Sequence, residues 1–160
     1  MDRLFLDANV LFSAAYRANA GLLQFWKLKN VILCSSRYAL EEARINLTQN
    51  AQRRRLERLA TAIEFFDAIP RLLPREVTLP DKDVPILLAA IASRATYLVT
   101  GDVHHFGQYF GKTIEALLYC RQPATWGRHR HELGNGSATW IFQPGSPIGH
   151  PFPFRSLDLP

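Results

Sequence analysis

The chain of 160 residues has little cysteine, few acids in its last 40 residues and no long apolar run. Its two cysteines, Cys34 and Cys120, are too few for a disulfide scaffold, and neither belongs to a cluster with zinc-ligand spacing. No apolar run reaches the roughly 18 residues that a membrane helix needs. Asp2 and Asp7 interrupt the apolar start, which argues against a signal peptide. We therefore expect a reducing, cytoplasmic setting.

The composition describes a globular, basic protein. Hydrophobic residues make up 48% of the chain and charged residues 21%, which is typical of one folded domain and excludes disorder of the whole chain. The net charge of +5 permits an anionic partner without requiring one. An arginine cluster within six residues either contacts nucleic-acid phosphates or forms a solvated helix face; it comprises Arg53, Arg54, Arg55 and Arg58.

Short apolar runs alternate with segments of helical periodicity, which predicts a parallel α/β sheet with helices on both faces. The predicted strands cover residues 3–6, 31–34, 76–79 and 96–100. Helices are predicted at residues 9–17, at 21–28, after a cap at Ser35 or Ser36, at 52–69, and from Asp83 to Ala92. In the helix at 52–69, the core-facing stripe would consist of Leu56, Leu59, Ile63 and Phe66.

The C-terminal part has a different composition. Residues 121–160 hold six of the ten prolines and five of the nine glycines, with a predicted strand only at 138–142. We therefore predict a folded domain at residues 1–118 and an irregular Pro/Gly/aromatic-rich extension at residues 119–160. Its aromatic side chains indicate that the extension docks, either on its own core or on a partner.

Four carboxylates are expected at one edge of the predicted sheet. Asp7 and Asp102 follow the carboxyl ends of two strands, where open α/β sheets bind ligands. Asp83 begins a helix that points to the same edge, and Glu42 lies inside the helix after the second strand. Four such groups stay ionised together only when a cation neutralises them, and oxygen ligands suit Mg²⁺ or Mn²⁺. A centre of this kind can activate water for attack on a phosphodiester.

Each of these acids also has a simpler explanation. Asp7 and Asp83 can cap the helices that follow them, and Asp102 can be a turn residue. Glu42, which lies beside Glu41, can belong to a solvated helix face. What favours a site is the joint order of a strand-end Asp, a helix Glu, a helix-start Asp and a second strand-end Asp.

Three stretches carry a resemblance to a known family: LFLDANVLFSAAYR (4–17), SSRYALEEARINL (35–47) and DKDVPILLAAIASRATYLVTGDVHHF (81–106). They resemble PIN-domain ribonucleases, in particular the VapC-like toxins of bacterial and archaeal toxin–antitoxin pairs. The resemblance covers residues 3–110 and implies a PIN-like three-layer α/β/α fold with a central, mainly parallel sheet. From about residue 116 onward the chain departs from the family's usual ending.

The resemblance also implies an activity and partners. The protein would be a Mg²⁺- or Mn²⁺-dependent endoribonuclease that hydrolyses RNA phosphodiester bonds, acts as a toxin and is restrained by a cognate antitoxin protein. Homodimers are common in the family. Asp7 and Asp102 would ligate the metal directly and Asp83 directly or through water, while Glu42 would orient water or complete a second metal site.

Further residues have supporting roles or alternatives. Asn9 and Thr100 would hydrogen-bond the carboxylates, although Asn9 can equally form a helix-start turn. Glu41 stays an alternative to Glu42, and Asp81 is an outer helper. Either His104 or His105, just after Asp102, would bind phosphate or substrate, or both are loop residues without a catalytic role.

Two other function classes were compared with this hypothesis. A catalytically inactive PIN-like module would bind RNA or protein and keep its acids only as helix caps and surface charge. A haloacid-dehalogenase-type phosphohydrolase needs a second Asp two residues after the first, and Asn9 occupies that position. The nuclease is therefore the main prediction and the inactive module the alternative.

Overall fold

A computed structural model describes residues 1–109, 113–114, 118–119 and 140–141. The strands are β1 Asp2–Leu6, β2 Val31–Ser35, β3 Ile63–Phe65, β4 Tyr97–Thr100, β5 Thr113–Ile114, β6 Leu118–Tyr119 and β7 Trp140–Ile141. The α-helices are α1 Ala8–Tyr16, α2 Arg37–Asn46, α3 Asn50–Ala60, α4 Val84–Ala92 and α5 Val103–Phe106. Short 3₁₀ helices cover Gly21–Lys27 and Gly107–Tyr109.

The sheet has the order β3-β2-β1-β4-β6-β5, and β7 also pairs with β4. Its centre, β3-β2-β1-β4, is parallel throughout, with Leu4 opposite both Leu33 and Tyr97. The chain builds outward from β1 through β2 to β3 and then returns to place β4 on the other side of β1. With helices flanking this sheet, the predicted three-layer α/β/α architecture is confirmed.

The core lies between the central strands and the helices that cover them. Phe5 and Leu6 of β1 and Leu98 of β4 are completely buried. Helix α4 has the apolar sequence VPILLAAIA, and every residue from Ile86 to Ile91 is buried, as expected for a central helix. Within the described ranges, every helix is too short or too polar to reach across a lipid bilayer.

The predicted long helix at residues 52–69 is wrong in its second half. Helix α3 ends at Ala60, and Ile63–Phe65 forms the edge strand β3, which pairs in parallel with β2. The backbone N–H of Phe66 continues this pairing by donating to Ser35 O at 2.9 Å. Ile63 and Phe66 fall at helical spacing from Leu56 and Leu59 by coincidence, because an edge strand of three residues is too short to show its own period.

The predicted strand at residues 76–79 is absent, because these residues have an irregular backbone. The hydroxyl of Tyr109 forms the hydrogen bonds with the backbone of Thr78 that a neighbouring strand would otherwise form. It accepts from Thr78 N at 2.7 Å and donates to Thr78 O at 2.8 Å. Val77 and Leu79 are buried, so the apolar pattern reports burial without a β-ladder.

The C-terminal predictions fall mostly beyond what the structure describes. The proposed extension at residues 119–160 lies outside the described residues except for Tyr119 and β7. Strand β7 lies within the predicted strand at 138–142 and pairs antiparallel with β4. The division of the chain at residue 118 stays a prediction.

Two side chains of the arginine cluster bond to backbone carbonyls, and the other two are exposed to solvent. Arg55 donates through Nε to Ala15 O and through a terminal nitrogen to Tyr16 O, both at 2.8 Å, and so satisfies carbonyls at the end of α1. Arg53 donates to Leu47 O at 2.9 Å, at the end of α2. Arg54 and Arg58 are exposed. Two of the four side chains therefore stabilise helix ends.

We expect Arg55→Ala to lower the free energy of unfolding by about 1–2 kcal/mol, because it removes two guanidinium hydrogen bonds to carbonyls, one of them partly buried. Arg54→Ala is the matched control, since it removes the same charge from an exposed position of the same helix. Urea denaturation followed by circular dichroism measures both. Equal losses in the two variants would contradict the helix-end role.

Candidate metal centre

The carboxyl ends of β1 and β4 form the point where the strand order reverses. β1 and β4 are neighbouring parallel strands. After β1 the chain continues toward β2 on one side, and after β4 it continues toward β5 and β6 on the other side. Such a switch point opens a crevice that binds ligands in α/β sheets. Asp7 directly follows β1, and Asp102 follows β4 after Gly101. The topology therefore brings the two predicted strand-end aspartates to one crevice.

Asp7 is buried and fully surrounded by donors. Its side chain is at the cap of α1, where Oδ1 accepts from Ala8 N at 2.6 Å. Its Oδ2 accepts from Thr100 Oγ1 at 2.5 Å and from Asn9 Nδ2 at 3.0 Å. Asp7 is thus a helix cap that also lies at the crevice, so the simpler explanation holds and the functional role stays a prediction.

Asn9 and Thr100 connect the ends of β1 and β4. The Thr100 hydroxyl donates to Asp7 and accepts from Asp102 N at 3.0 Å. Asn9 donates to Asp7 and accepts from Gly101 N through Oδ1 at 2.8 Å. These bonds fix the carboxylate of Asp7 and the backbone before Asp102 relative to each other, which is the arrangement expected of supporting residues.

Asp83 differs from the other two aspartates because its side chain does not cap its helix. The side chain is only 8% exposed. Its Oδ2 is buried and has no hydrogen-bond partner among the described residues. Its Oδ1 lies 3.8 Å from Nζ of Lys82, an exposed side chain. A buried carboxylate oxygen without a donor is costly, so this atom is one that a cation would satisfy.

His105 contacts two of the acids at once. Its Nδ1 lies 2.6 Å from Asp102 Oδ2 and 3.0 Å from Asp83 Oδ2. The shorter contact is the hydrogen bond to Asp102, and the longer one is an ion pair with Asp83 when the ring is protonated. The backbone N–H of His105 also donates to Asp102 Oδ1 at 3.0 Å, so Asp102 caps α5. The ring therefore lies between the two carboxylates.

The two neighbouring glutamates point to different surroundings. Glu41 is exposed and forms a two-bond ion pair with Arg44, at 2.7 and 2.6 Å. Glu42 is half-buried, and its negative charge contributes to the raised pKa of Asp7. Asp81 is exposed in the turn before α4. The structure therefore brings Glu42 toward the crevice and leaves Glu41 in solvent.

Burial and mutual repulsion raise the pKa of three acids of the crevice, whereas the pKa of Asp102 is lowered. Burial raises the pKa of Asp7 to about 7, against the hydrogen bonds of Thr100 and Ala8. Burial also raises the pKa of Glu42 and of Asp83, and the Asp102 charge adds to both shifts. Burial acts on Asp102 too, yet the hydrogen bonds from His105 outweigh it and hold the pKa of Asp102 below its usual range.

The donor set fits a divalent cation. Asp83, Asp102 and His105 each offer a ligand atom, and the three atoms lie within 4.8 Å of one another. Asp7 and Glu42 do not belong to this group of three but act on it electrostatically. From the sequence alone, His105 is open between substrate binding and no catalytic role. Its position three residues after a strand-end Asp, in the first turn of a capped helix, was the signal that could have identified it.

One comparison with known proteins gives a match. A family model described as PIN domain matches residues 3–104, more than half of the chain. No curated protein and no solved structure gives a significant match. The matched range contains Asp7, Glu42, Asp83 and Asp102 and ends one residue before His105.

We expect Asp7→Asn to change the pH dependence of stability in the metal-free protein. Because the folded-state pKa of about 7 exceeds the ordinary 3.8, ionisation of Asp7 lowers the free energy of unfolding progressively between those pH values. The variant cannot ionise there, so relative to wild type it gains stability from pH 4 to pH 8 by a few kcal/mol, on the order expected for such a shift.

Urea unfolding of both proteins with EDTA at several pH values measures this difference. Any hydrogen bond that the amide loses affects the variant equally at all pH values and cancels from the comparison. Parallel stability curves for the two proteins would contradict a buried, destabilising charge at Asp7.

Proposed function

Because the chain belongs to the PIN-domain family, we propose that it is a Mg²⁺- or Mn²⁺-dependent endoribonuclease. PIN domains are generally nucleases, and the acidic crevice supplies the chemistry that such an activity needs. Within this proposal, Asp7, Glu42, Asp83 and Asp102 form the catalytic centre, with Asn9 and Thr100 as supporting residues.

One observation carries the proposal more than any other. The buried Oδ2 of Asp83 lacks a hydrogen-bond partner among the described residues, while an ion-pairing carboxylate and an imidazole face the same space. A helix cap would have used this oxygen, and its nearest charged neighbour is the His105 ring, which hydrogen-bonds to Asp102. A centre that holds a divalent cation for part of its working cycle explains why the oxygen has no hydrogen bond.

The chain's own residues would divide the work as follows. Asp83 and Asp102 hold the cation, which when bound polarises a phosphodiester oxygen and acidifies water. Asp7 is held in one orientation by hydrogen bonds from Ala8, Asn9 and Thr100, and it adds a negative charge to the crevice. Glu42, with its raised pKa, is suited to orient the attacking water and to accept its proton.

The substrate and partners follow from the family resemblance and from charge. We propose RNA as the substrate, since the net charge of +5 favours a polyanion and exposed cations such as Lys82 lie beside the crevice. A ribonuclease of the VapC-like toxin class would act in the cytoplasm. It would require a cognate antitoxin protein that covers the acidic crevice, and it would share the family's tendency to form homodimers.

We expect Asp83→Asn to lower RNA cleavage about a hundredfold or more, because it weakens the cation site while breaking no hydrogen bond of its Oδ2. The matched control is Glu41→Gln, which removes one carboxylate charge outside the crevice and should cleave at close to the wild-type rate. Cleavage of total RNA is measured with Mn²⁺, with Mg²⁺ and with EDTA.

The same assay separates the nuclease from the inactive module. A module would bind RNA without cutting it in Mn²⁺, and its melting temperature would not respond to the metal. An Asp83→Asn protein that cleaves like wild type would reject the proposed centre.

The toxin role has its own test. Induced expression of the wild type should arrest bacterial growth, whereas Asp83→Asn should not. Co-expression of a protein from the adjacent gene that binds the wild type should restore growth. Normal growth with fully active enzyme would remove the toxin role and leave the nuclease in place.

A further inference from the structure

His105 occupies the position in the crevice where a cation would compensate two carboxylates. Its ring is mostly buried, and its Nδ1 is within 3.0 Å of an oxygen of Asp83 and an oxygen of Asp102. The ring hydrogen-bonds to Asp102 and forms an ion pair with Asp83 when it is protonated, so a positive charge at this point serves both carboxylates.

One of these two distances is that of neighbouring ligands in one coordination sphere, and the shorter one, 2.6 Å to Asp102, is that of a hydrogen bond. Bonds of about 2.1 Å at right angles separate adjacent donor atoms by about 3 Å. The distance of 3.0 Å between Nδ1 of His105 and Oδ2 of Asp83 matches this value. Asp83 Oδ2 lies on a side chain more than nine-tenths buried and has no hydrogen-bond partner among the described residues, which indicates that a ligand binds at this oxygen.

We propose that His105 is a nitrogen ligand of the cation and that this nitrogen makes the site prefer Mn²⁺ to Mg²⁺. The inference rests on the proposed function, because it concerns the cation of that same centre. Mg²⁺ takes oxygen ligands almost exclusively, whereas the affinity of imidazole rises along the first transition series beginning at Mn²⁺.

Ligation requires the lone pair of Nδ1. An ionised carboxylate can only accept, so Nδ1 is the donor in this hydrogen bond when Asp102 is ionised. With the cation bound, the neutral ring would keep its proton on Nε2, and the cation would replace the hydrogen bond as the link between His105, Asp83 and Asp102. The same ring therefore faces the same two acids in both states.

The test is spectroscopic and uses the full chain loaded with Mn²⁺. Electron spin-echo envelope modulation should show coupling of the metal to a histidine nitrogen, and the coupling pattern should change when histidine is labelled with ¹⁵N. His105→Asn should remove the coupling. His104→Asn is the matched control, because His104 is exposed and outside the group of ligand atoms, and it should keep the coupling.

Affinity measurements provide the second readout. Titration of free Mn²⁺ by electron paramagnetic resonance, with Mg²⁺ as competitor, gives the dissociation constants for both metals. His105→Asn should weaken Mn²⁺ binding by about tenfold or more and change Mg²⁺ binding much less, which lowers the preference for Mn²⁺. The wild-type spectrum itself does not depend on whether a variant folds.

Each remaining outcome overturns the inference. Bound Mn²⁺ without histidine coupling in the wild type rejects His105 as a ligand and leaves the proposed nuclease intact if RNA is still cut. Equal weakening of Mg²⁺ and Mn²⁺ reduces His105 to a residue that positions Asp102. Loss of coupling in the His104 variant assigns the nitrogen elsewhere. A wild type that binds no Mn²⁺ and cuts no RNA rejects both proposals.

Discussion

Asp7 and Asp83 are buried at the edge of the sheet where β1 and β4 end, and their negative charges repel each other there. The surrounding structure counters this repulsion unevenly. Asp7 is surrounded by donors from Ala8, Asn9 and Thr100, whereas the Oδ2 of Asp83 has none among the described residues. Lys82 and His105 oppose the raised pKa of Asp83 only in part, and a cation bound at Oδ2 would relieve the remaining repulsion, which links the stability of the fold to the chemistry of the crevice.

Helix capping and site formation use the same residues in this protein. A cap and a ligand both need a short acid just beyond a strand end, so Asp7 and Asp102 do both. Asp83 has the cap position without the cap bond, and it is this departure that distinguishes a binding group from a structural one. The arginines show the opposite case, because Arg53 and Arg55 look like a nucleic-acid surface in the sequence but bond to carbonyls at helix ends.

The elements that the sequence predicted well are those whose burial and local signals agree. Strands β1, β2 and β4 and helix α4 are short, nearly continuous apolar segments with clear boundaries, and Ser36 caps α2 as one of two candidates. The strand β3 was missed because three residues cannot display a period, and the partner that makes Ile63–Phe65 a strand is β2, about thirty positions earlier in the chain. The apolar residues Val77 and Leu79 are buried without a strand, since the Tyr109 hydroxyl satisfies Thr78.

Local sequence determined the α/β class, the strand-end positions of Asp7 and Asp102, and the start of α4 at Asp83, because each depends on the residues next to it. Tertiary structure decided which glutamate faces the crevice, that Asp83 keeps an unsatisfied oxygen, and that His105 lies between two acids. These features depend on distances between residues that are remote in the chain. Such distances are set by the packing of helices on the sheet, which no local pattern encodes.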